Sequence, residues 1–290
     1  MKIQTFNIIA GNTNCNASCP FCISKMTPKE NMNSKLHETN WINFRKACQL
    51  AKDNHVSTVL ITGKGEPLLY PNQITSFLDN LEQYQFPIIE LQTNALVIGR
   101  NFNKYKKILK LWKEKGLNTF VISIVHYEDN KNKEIYSQNK DYFKLAELIK
   151  KLHILGFSIR LNCILVKNYI DSLEKVKQLV DFCLKNDVEQ LTLKPVEFVK
   201  NAKDKSILDW ARKRLISKKN QKNIQNFMEK NGVRLRTLDF GGVVYDYNGQ
   251  NVCITDCLSN KPFSEDLRQL IFFPDGHLRY DWRYKGAILV

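Results

Sequence analysis

Apolar residues recur along this chain in two alternating rhythms. Residues 3–9 open it with an apolar, β-branched run that reads as a strand. Residues 41–52 then set Trp41, Phe44, Ala47, Cys48 and Ala51 three and four apart, the period of a helix with one buried face. The exchange repeats: segments 57–62, 88–93, 119–125, 157–166 and 190–195 read as further strands. Between them, 73–81 (Ile74, Phe77, Leu78, Leu81), 105–115 (Ile108, Leu109, Trp112), 142–155 and 172–185 read as helices. Strands and helices taking turns in this way predict parallel βαβ units. Six such units predict an α/β fold, an open partial (β/α)6 barrel of the TIM type, with functional residues at the C-terminal ends of the strands.

Just past the first strand stand Cys15, Cys19 and Cys22, in the run C-N-A-S-C-P-F-C. Three thiolates at this spacing suit three corners of a cubic iron–sulfur cluster, which ordinarily takes four cysteines. The next cysteine, Cys48, sits inside a helical stripe, so one iron is left open to bind a ligand. A zinc site is the competing reading; it closes with four Cys or His ligands, and His37 is the nearest histidine. The N-terminal residues carry no apolar signal segment, which predicts a cytoplasmic protein with reduced thiols. No run approaches the ~18 apolar residues of a membrane span. Cys163 and Cys183 lie on apolar faces and read as buried small hydrophobes. His126, His153 and His277 are scattered and form no metal triad in the sequence.

The cysteine run resembles the cluster loop of the radical S-adenosylmethionine (radical SAM) superfamily, and later segments extend the resemblance. Thr13-Asn14-Cys15-Asn16 and Pro20-Phe21-Cys22 are similar to its T-x-C-N…C-x-aromatic-C signature. Ile61-Thr62-Gly63-Lys64-Gly65-Glu66-Pro67 resembles the G-G-E-P motif, with Lys64 where the first glycine stands. Leu91-Gln92-Thr93-Asn94 resembles the T-N-G strand end, with Ala95 at the glycine position. Val121-Ile122-Ser123-Ile124 is similar to the serine-bearing fourth strand. Gly156-Phe157-Ser158-Ile159-Arg160-Leu161-Asn162 is similar to the fifth strand of the molybdopterin GTP cyclase and its SPASM/twitch relatives.

The resemblance implies a [4Fe–4S] cluster on Cys15, Cys19 and Cys22, with S-adenosylmethionine (SAM) chelating the open iron through its amine and carboxylate. It implies an enzyme that breaks SAM to a 5′-deoxyadenosyl radical. Glu66 would meet the methionyl ammonium or shape the turn. Gly63 and Gly65 would let backbone approach the ligand, with Asn94 at the end of the neighbouring strand. Ser123 and Arg160 would hold the SAM carboxylate, or Arg160 an acidic group of the substrate, since a guanidinium pairs bidentately with a carboxylate. Asn162 would meet the ribose, and Phe21 with Lys194-Pro195-Val196 the adenine. For the strand residues the plain alternative is a satisfied polar group of the barrel interior. A reductant of the flavodoxin or ferredoxin type is implied as partner.

Charge then separates the chain into two parts. The protein has 44 Lys and Arg against 29 Asp and Glu, and residues 200–236 hold twelve of the former and three of the latter, so nine of the fifteen net positive charges lie there. The same segment carries a helical apolar stripe through Trp210, Ala211, Leu215, Ile224, Phe227 and Met228. Two readings stand: a footprint for an acidic partner or substrate, or the solvated face of amphipathic helices. Beyond it, Cys253 and Cys257 precede a hairpin turn at Asp275-Gly276. The tail is similar to SPASM/twitch hairpins, with Tyr280-Asp281-Trp282 where an auxiliary-cluster cysteine would follow the turn. The expectation is a core barrel over residues 1–199. A twitch-like extension over 200–290 would cover the barrel mouth, where Trp282 and Tyr284 could line a substrate pocket, without a complete second cluster. With 43% hydrophobic residues the chain can bury a barrel core. The main functional reading is a radical SAM enzyme acting on a peptide, nucleotide or small metabolite. The alternative is a non-catalytic iron–sulfur or zinc protein.

Overall fold

The structure is a computed structural model and describes residues 2–28, 32, 35–137, 140–197, 199, 205–238, 241–256 and 267–289. Strand β1 (Ile3–Ile9) leads through the cysteine loop into a single helical turn, α1 (Ile23–Met26), and then α2 (Trp41–Asp53). Next come β2 (Thr58–Thr62), α3 (Pro71–Leu81), β3 (Ile88–Thr93), α4 (Leu96–Arg100), α5 (Phe102–Glu114) and β4 (Thr119–Ile124). Helices α6 (Asp129–Tyr136) and α7 (Leu145–Ile154) precede β5 (Ser158–Leu165), α8 (Leu173–Lys185) and β6 (Gln190–Pro195). The last third adds α9 (Lys205–Arg214), α10 (Lys218–Asn231), β7 (Val233–Thr237), β8 (Val243–Tyr247), β9 (Gln250–Ile254), β10 (Leu267–Phe272) and β11 (Leu278–Arg279).

Strands β1 to β6 lie side by side in chain order, all parallel, as the alternation of strands and helices predicts. The sheet goes further at both edges. Strand β10 pairs parallel with the outer edge of β1, through Thr5–Gln269 and Ile8–Phe272, and β9 pairs parallel with β6. Among the described residues β9 and β10 do not pair with each other, so the barrel stays open. Antiparallel strands finish the rims: β8 and β7 beyond β9, and β11 beyond β10 across the Asp275-Gly276 turn. Gly276 there has φ +94, the left-handed conformation a hairpin turn requires. No sequence pattern near residue 267 says which edge it will join, so the seating of β9 and β10 emerges only in three dimensions.

Helices cover the outside of the sheet with the faces their periodicity predicts. Phe44 of α2 packs on Phe77 of α3 at 5.3 Å and on Phe272 of β10 at 5.0 Å, with Trp41 edge-on at 5.5 Å. A strand from the chain's last tenth is thus built into the aromatic core beside β1. Helix α2 starts where Asn40 accepts the Asn43 amide at 3.0 Å, and α8 where Ser172 accepts that of Lys175. No helix of the described residues is long and apolar enough to cross a membrane.

Besides the single turn α1, helices α4 and α6 have no counterpart in the periodicity. Helix α4 is one short turn after β3, entered through Ala95 at φ +58. Helix α6 reads Asp-Asn-Lys-Asn-Lys-Glu-Ile-Tyr, too polar to show a stripe. It is fixed instead by Asn132, which is fully buried: its Oδ1 accepts the Val125 amide at 2.9 Å and its Nδ2 donates to the His126 carbonyl at 2.7 Å. The helix expected to begin at residue 142 begins at Leu145, where Asp129 Oδ1 accepts the Leu145 amide at 3.0 Å.

Candidate active site

The cysteine loop leaves the C-terminal end of β1 and is held by the ends of β2 and β3. Gly11 takes φ +77 over the Tyr70 ring, and a Cβ there would lie 2.2 Å from that ring. Asn12 Oδ1 accepts the Asn14 amide at 2.8 Å and the Tyr70 hydroxyl. The Glu66 amide donates to the Asn14 carbonyl at 2.9 Å. A Cβ on Gly65 would stand 2.0 Å from that same carbonyl oxygen. Gly65 is therefore small because the cysteine loop's backbone lies against it. This local reason differs from the expected approach of a ligand, although both glycines also border the cavity described below.

Glu66 is buried and fully engaged. Its Oε1 accepts the Leu68 amide at 3.0 Å and the Thr93 hydroxyl, and its Oε2 accepts the Asn94 amide at 3.0 Å. Burial pushes its carboxyl above the ordinary value while these donors pull it back. Glu66 thus ties the turn after β2 to the end of β3. Asn94 passes the connection on, donating to Asn16 Oδ1 at 2.8 Å and pointing the same amide at Cys15 Sγ at 3.7 Å.

Cys15, Cys19 and Cys22 border one cavity of about 290 Å³ at the strand C-termini, the size of a small-molecule site. Phe21, Gly63, Gly65, Glu66, Asn94, Ser123, Asn162, Lys194, Val196 and Trp282 line the same cavity, whereas Pro195 and the exposed Tyr284, also singled out in the sequence, do not. Arg160 stands apart as well. It is not part of the lining; its guanidinium pairs with the buried carboxylate of Glu90 and reaches Gln190 Oε1 at 3.3 Å. The inward positions of β5 run Arg160, Asn162, Ile164, and Arg160 lies nearest the strand's start, below the mouth where the cysteines stand.

Crowding by protein atoms pushes the Cys15 thiol up to about 11, although the Ala17 amide donates to its sulfur at 3.4 Å and opposes the rise. Cys19 is pushed up further, first by burial and then by Cys22. Among the described residues no three His, Cys, Asp or Glu side chains gather tightly enough for a single metal ion. Three thiols bordering one cavity suit a cluster, in which each cysteine binds a different iron. Two buried polar atoms of the wall, Asn162 Oδ1 and the Tyr136 hydroxyl, have no hydrogen-bond partner among the described residues. Orphans of this kind mark a cavity shaped for a polar occupant. The residues present therefore fit an iron–sulfur cluster with a polar small molecule beside it.

Other lining residues escaped the motif reading. Asn7, Gln92 and Gln269 are polar residues at inward positions of β1, β3 and β10, a signal visible in the sequence once the strand faces are known. Lys64, 5% exposed, donates to Thr27 Oγ1 at 2.8 Å and lies 5.0 Å over the ring of Trp282. The glycine replaced in the motif has thus become a buried cation joining the cysteine arm to the C-terminal tail. Tyr136 had no sequence signal, because α6 has no stripe to place it. Cys48, Cys163 and Cys183 are buried in the core as expected. Cys253 is buried on β9, and Cys257 lies outside the described residues.

Residues 11–183 match the family model of the Radical SAM superfamily. The GTP 3′,8-cyclase of Aquifex aeolicus (strain VF5) is 26% identical over 161 residues, 54% of this chain and 46% of that relative. The GTP 3′,8-cyclase of Staphylococcus epidermidis is 24% identical over 221 residues, 72% of this chain and 58% of that one. The chain spans about half the length of the curated relatives it matches. Among solved structures, SuiB of Streptococcus suis bound to S-adenosylmethionine has a TM-score of 0.61 at 18% identity, covering 96% of this chain and 60% of that one. The enzyme anSMEcpe with bound AdoMet has a TM-score of 0.58 at 13% identity, covering 100% and 74%. These likenesses establish a common fold.

Proposed function

Because this chain belongs to the radical SAM superfamily, we propose that its cavity holds a [4Fe–4S] cluster and SAM and generates a 5′-deoxyadenosyl radical that takes hydrogen from a substrate. The observation that carries the proposal is the grouping of Cys15, Cys19 and Cys22 with a polar wall of Glu66, Asn94, Ser123 and Asn162 in one cavity. When bound, the cluster supplies the electron that breaks the sulfonium–carbon bond of SAM. The protein's part is to position and to exclude water.

Cys15, Cys19 and Cys22 bind three irons and leave the fourth open. Glu66, with both oxygens committed, sets the turn of Gly63 and Gly65 and keeps a negative end near the methionyl ammonium. Asn94 steadies Cys15. Ser123 takes the carboxylate end of SAM, and Asn162 offers its unpartnered Oδ1 to the ribose hydroxyls. Phe21 and Val196 enclose the adenine. Arg160, paired with Glu90, serves the barrel floor beneath the substrate. Residues 1–199 form the catalytic barrel, and residues 200–290 complete its edges and wall the mouth through Trp282.

The substrate carries an anionic group. Lys194 of β6 and Arg268 of β10 line the cavity. With Arg160 they also act on the buried Cys253 thiol, opposing the upward push of its burial. Two cations, Lys194 and Arg268, thus line the cavity, and this supports an acidic substrate more directly than the basic helices α9 and α10. A phosphate-bearing nucleotide, as the name GTP 3′,8-cyclase indicates for the relatives, and an acidic peptide both satisfy that chemistry. We place the reaction in the cytoplasm, with a flavodoxin- or ferredoxin-type reductant.

Anaerobic reconstitution tests the proposal. The wild type should bind about four irons per chain and, with dithionite, release 5′-deoxyadenosine and methionine. Replacing Cys15, Cys19 and Cys22 together with Ala should remove both the iron–sulfur absorption and the cleavage. A triple variant that keeps its iron would sink the assignment.

A further inference from the structure

The phenol of Tyr136 is a polar group of the cavity wall that the functions above leave unused. It closes helix α6, is 3% exposed, and its hydroxyl has no partner among the described residues. Its ring meets Phe21 edge-on, with centroids 6.4 Å apart and planes at 90°. Phe21 lies between Cys19 and Cys22 in the chain, and Tyr136 borders the cavity with both cysteines. The position is built: Asn132 anchors the helix to the backbone of Val125 and His126 one turn earlier. Asn162 Oδ1, the wall's other orphan, is an acceptor that likewise has no partner, so the two orphans do not bond each other. Glu66 is already supplied with donors. The acceptors to be expected on the Cys19–Cys22 side are the sulfurs of the cluster and its thiolates. Burial holds the phenol well above its ordinary pKa, so it stays protonated and acts as a donor.

We propose that the Tyr136 hydroxyl donates a hydrogen bond to sulfur on the Cys19–Cys22 side of the iron–sulfur cluster and raises the potential at which the cluster takes up its electron. The inference rests on the cluster assignment above. Hydrogen bonds to cluster sulfur stabilise the added negative charge of the reduced state, so each one makes reduction easier. Tyr136 is on this reading a positioning and tuning residue for electron entry. It forms no bond to the substrate.

The test is a potentiometric titration of the reconstituted protein followed by electron paramagnetic resonance, with SAM affinity measured in parallel. Tyr136→Phe keeps the ring on Phe21 and removes only the donor. At a fixed potential its ratio of reduced to oxidised cluster should fall by about tenfold, a shift of about 59 mV for one electron, toward more negative potential. Its iron content and SAM affinity should match the wild type. Site-specific 3-fluorotyrosine at position 136, a stronger donor of nearly the same size, should shift the potential the opposite way and serves if the Phe variant fails to assemble. An unchanged potential in both variants overturns the inference. So does a several-fold loss of SAM affinity at unchanged potential, which would give the hydroxyl to SAM. Failure of the wild type itself to bind a cluster would instead defeat the function proposed above.

Discussion

Gly65 shows how closely one residue can be determined by its neighbours. The Asn14 carbonyl occupies the space a side chain would take, at 2.0 Å from an ideal Cβ. The obstacle is backbone, which does not swing aside, so Gly65→Ala should cost about 1–3 kcal/mol. Urea denaturation of the iron-free protein measures the loss, and reconstitution should show reduced iron loading, because Asn14 neighbours Cys15. Unchanged stability would mean that the loop and the turn separate freely. Glu66→Gln makes a complementary change. An amide nitrogen cannot accept, so one of the donors now shared by the two oxygens loses its acceptor. A loss of about 1–3 kcal/mol is expected, read from the same unfolding curves. His126 adds a pH effect. It is buried beside Glu128, Lys131, Glu134 and Lys175, its Nδ1 accepts the Glu128 amide at 3.1 Å, and burial lowers its pKa below the ordinary 6.5. The folded state therefore favours the neutral ring. The His126 contribution is present above pH 6.5 and is lost as pH falls through that value toward the lower folded pKa. Thermal melts from pH 8 to 5 should show wild type losing more stability than His126→Gln over the acid half of about that range. Parallel curves would refute the assignment.

At the scale of elements, what could be read in advance divides by how local its cause is. Strands β1 to β6 and helices α2, α3, α5 and α8 announce themselves, because a buried face must repeat with the period of its element. The cysteines and the turn after β2 are equally legible, since their chemistry depends on residue type and short spacing. Helix α6 leaves no periodic trace. Its stability comes from Asn132 reaching back to loop backbone, and an isolated Asn in sequence looks like any other. Tyr136 was invisible for the same reason. Arg160 was visible but misplaced in depth: its inward parity follows from the strand, while its pairing with Glu90 depends on a strand two places away. Asn132→Ala should cost about 2–3 kcal/mol by leaving buried backbone amides of the β4–α6 connection unpaired. Hydrogen exchange should then speed up at Val125 and along α6 while α2 and α3 keep their protection. Protection unchanged throughout would show that the helix is held by its ring contacts instead.

The whole molecule adds what no single βαβ unit contains, a parallel sheet lengthened at both ends by the last third of the chain. Strand β9 places Cys253 deep against β6, with Thr192 as its neighbour in register. A second cluster would need further thiolates, and Cys48, Cys163 and Cys183 are enclosed by the core. The double replacement Cys253→Ala/Cys257→Ala should therefore keep the wild-type iron count and still cleave SAM; a loss of about four irons would establish an auxiliary cluster. The position of β10 has a consequence for how the protein is made. On the ribosome the strand that seals the outer edge of β1 begins 245 residues after Cys22, and the tryptophan that rests on Lys64 follows it. At about 5–20 residues per second the loop waits ten seconds or more for its wall. Throughout that interval an iron–sulfur cluster would stand open to oxygen. Cluster loading is therefore expected only once these strands are in place, so that they act as a clock holding the site back until its wall can shelter it.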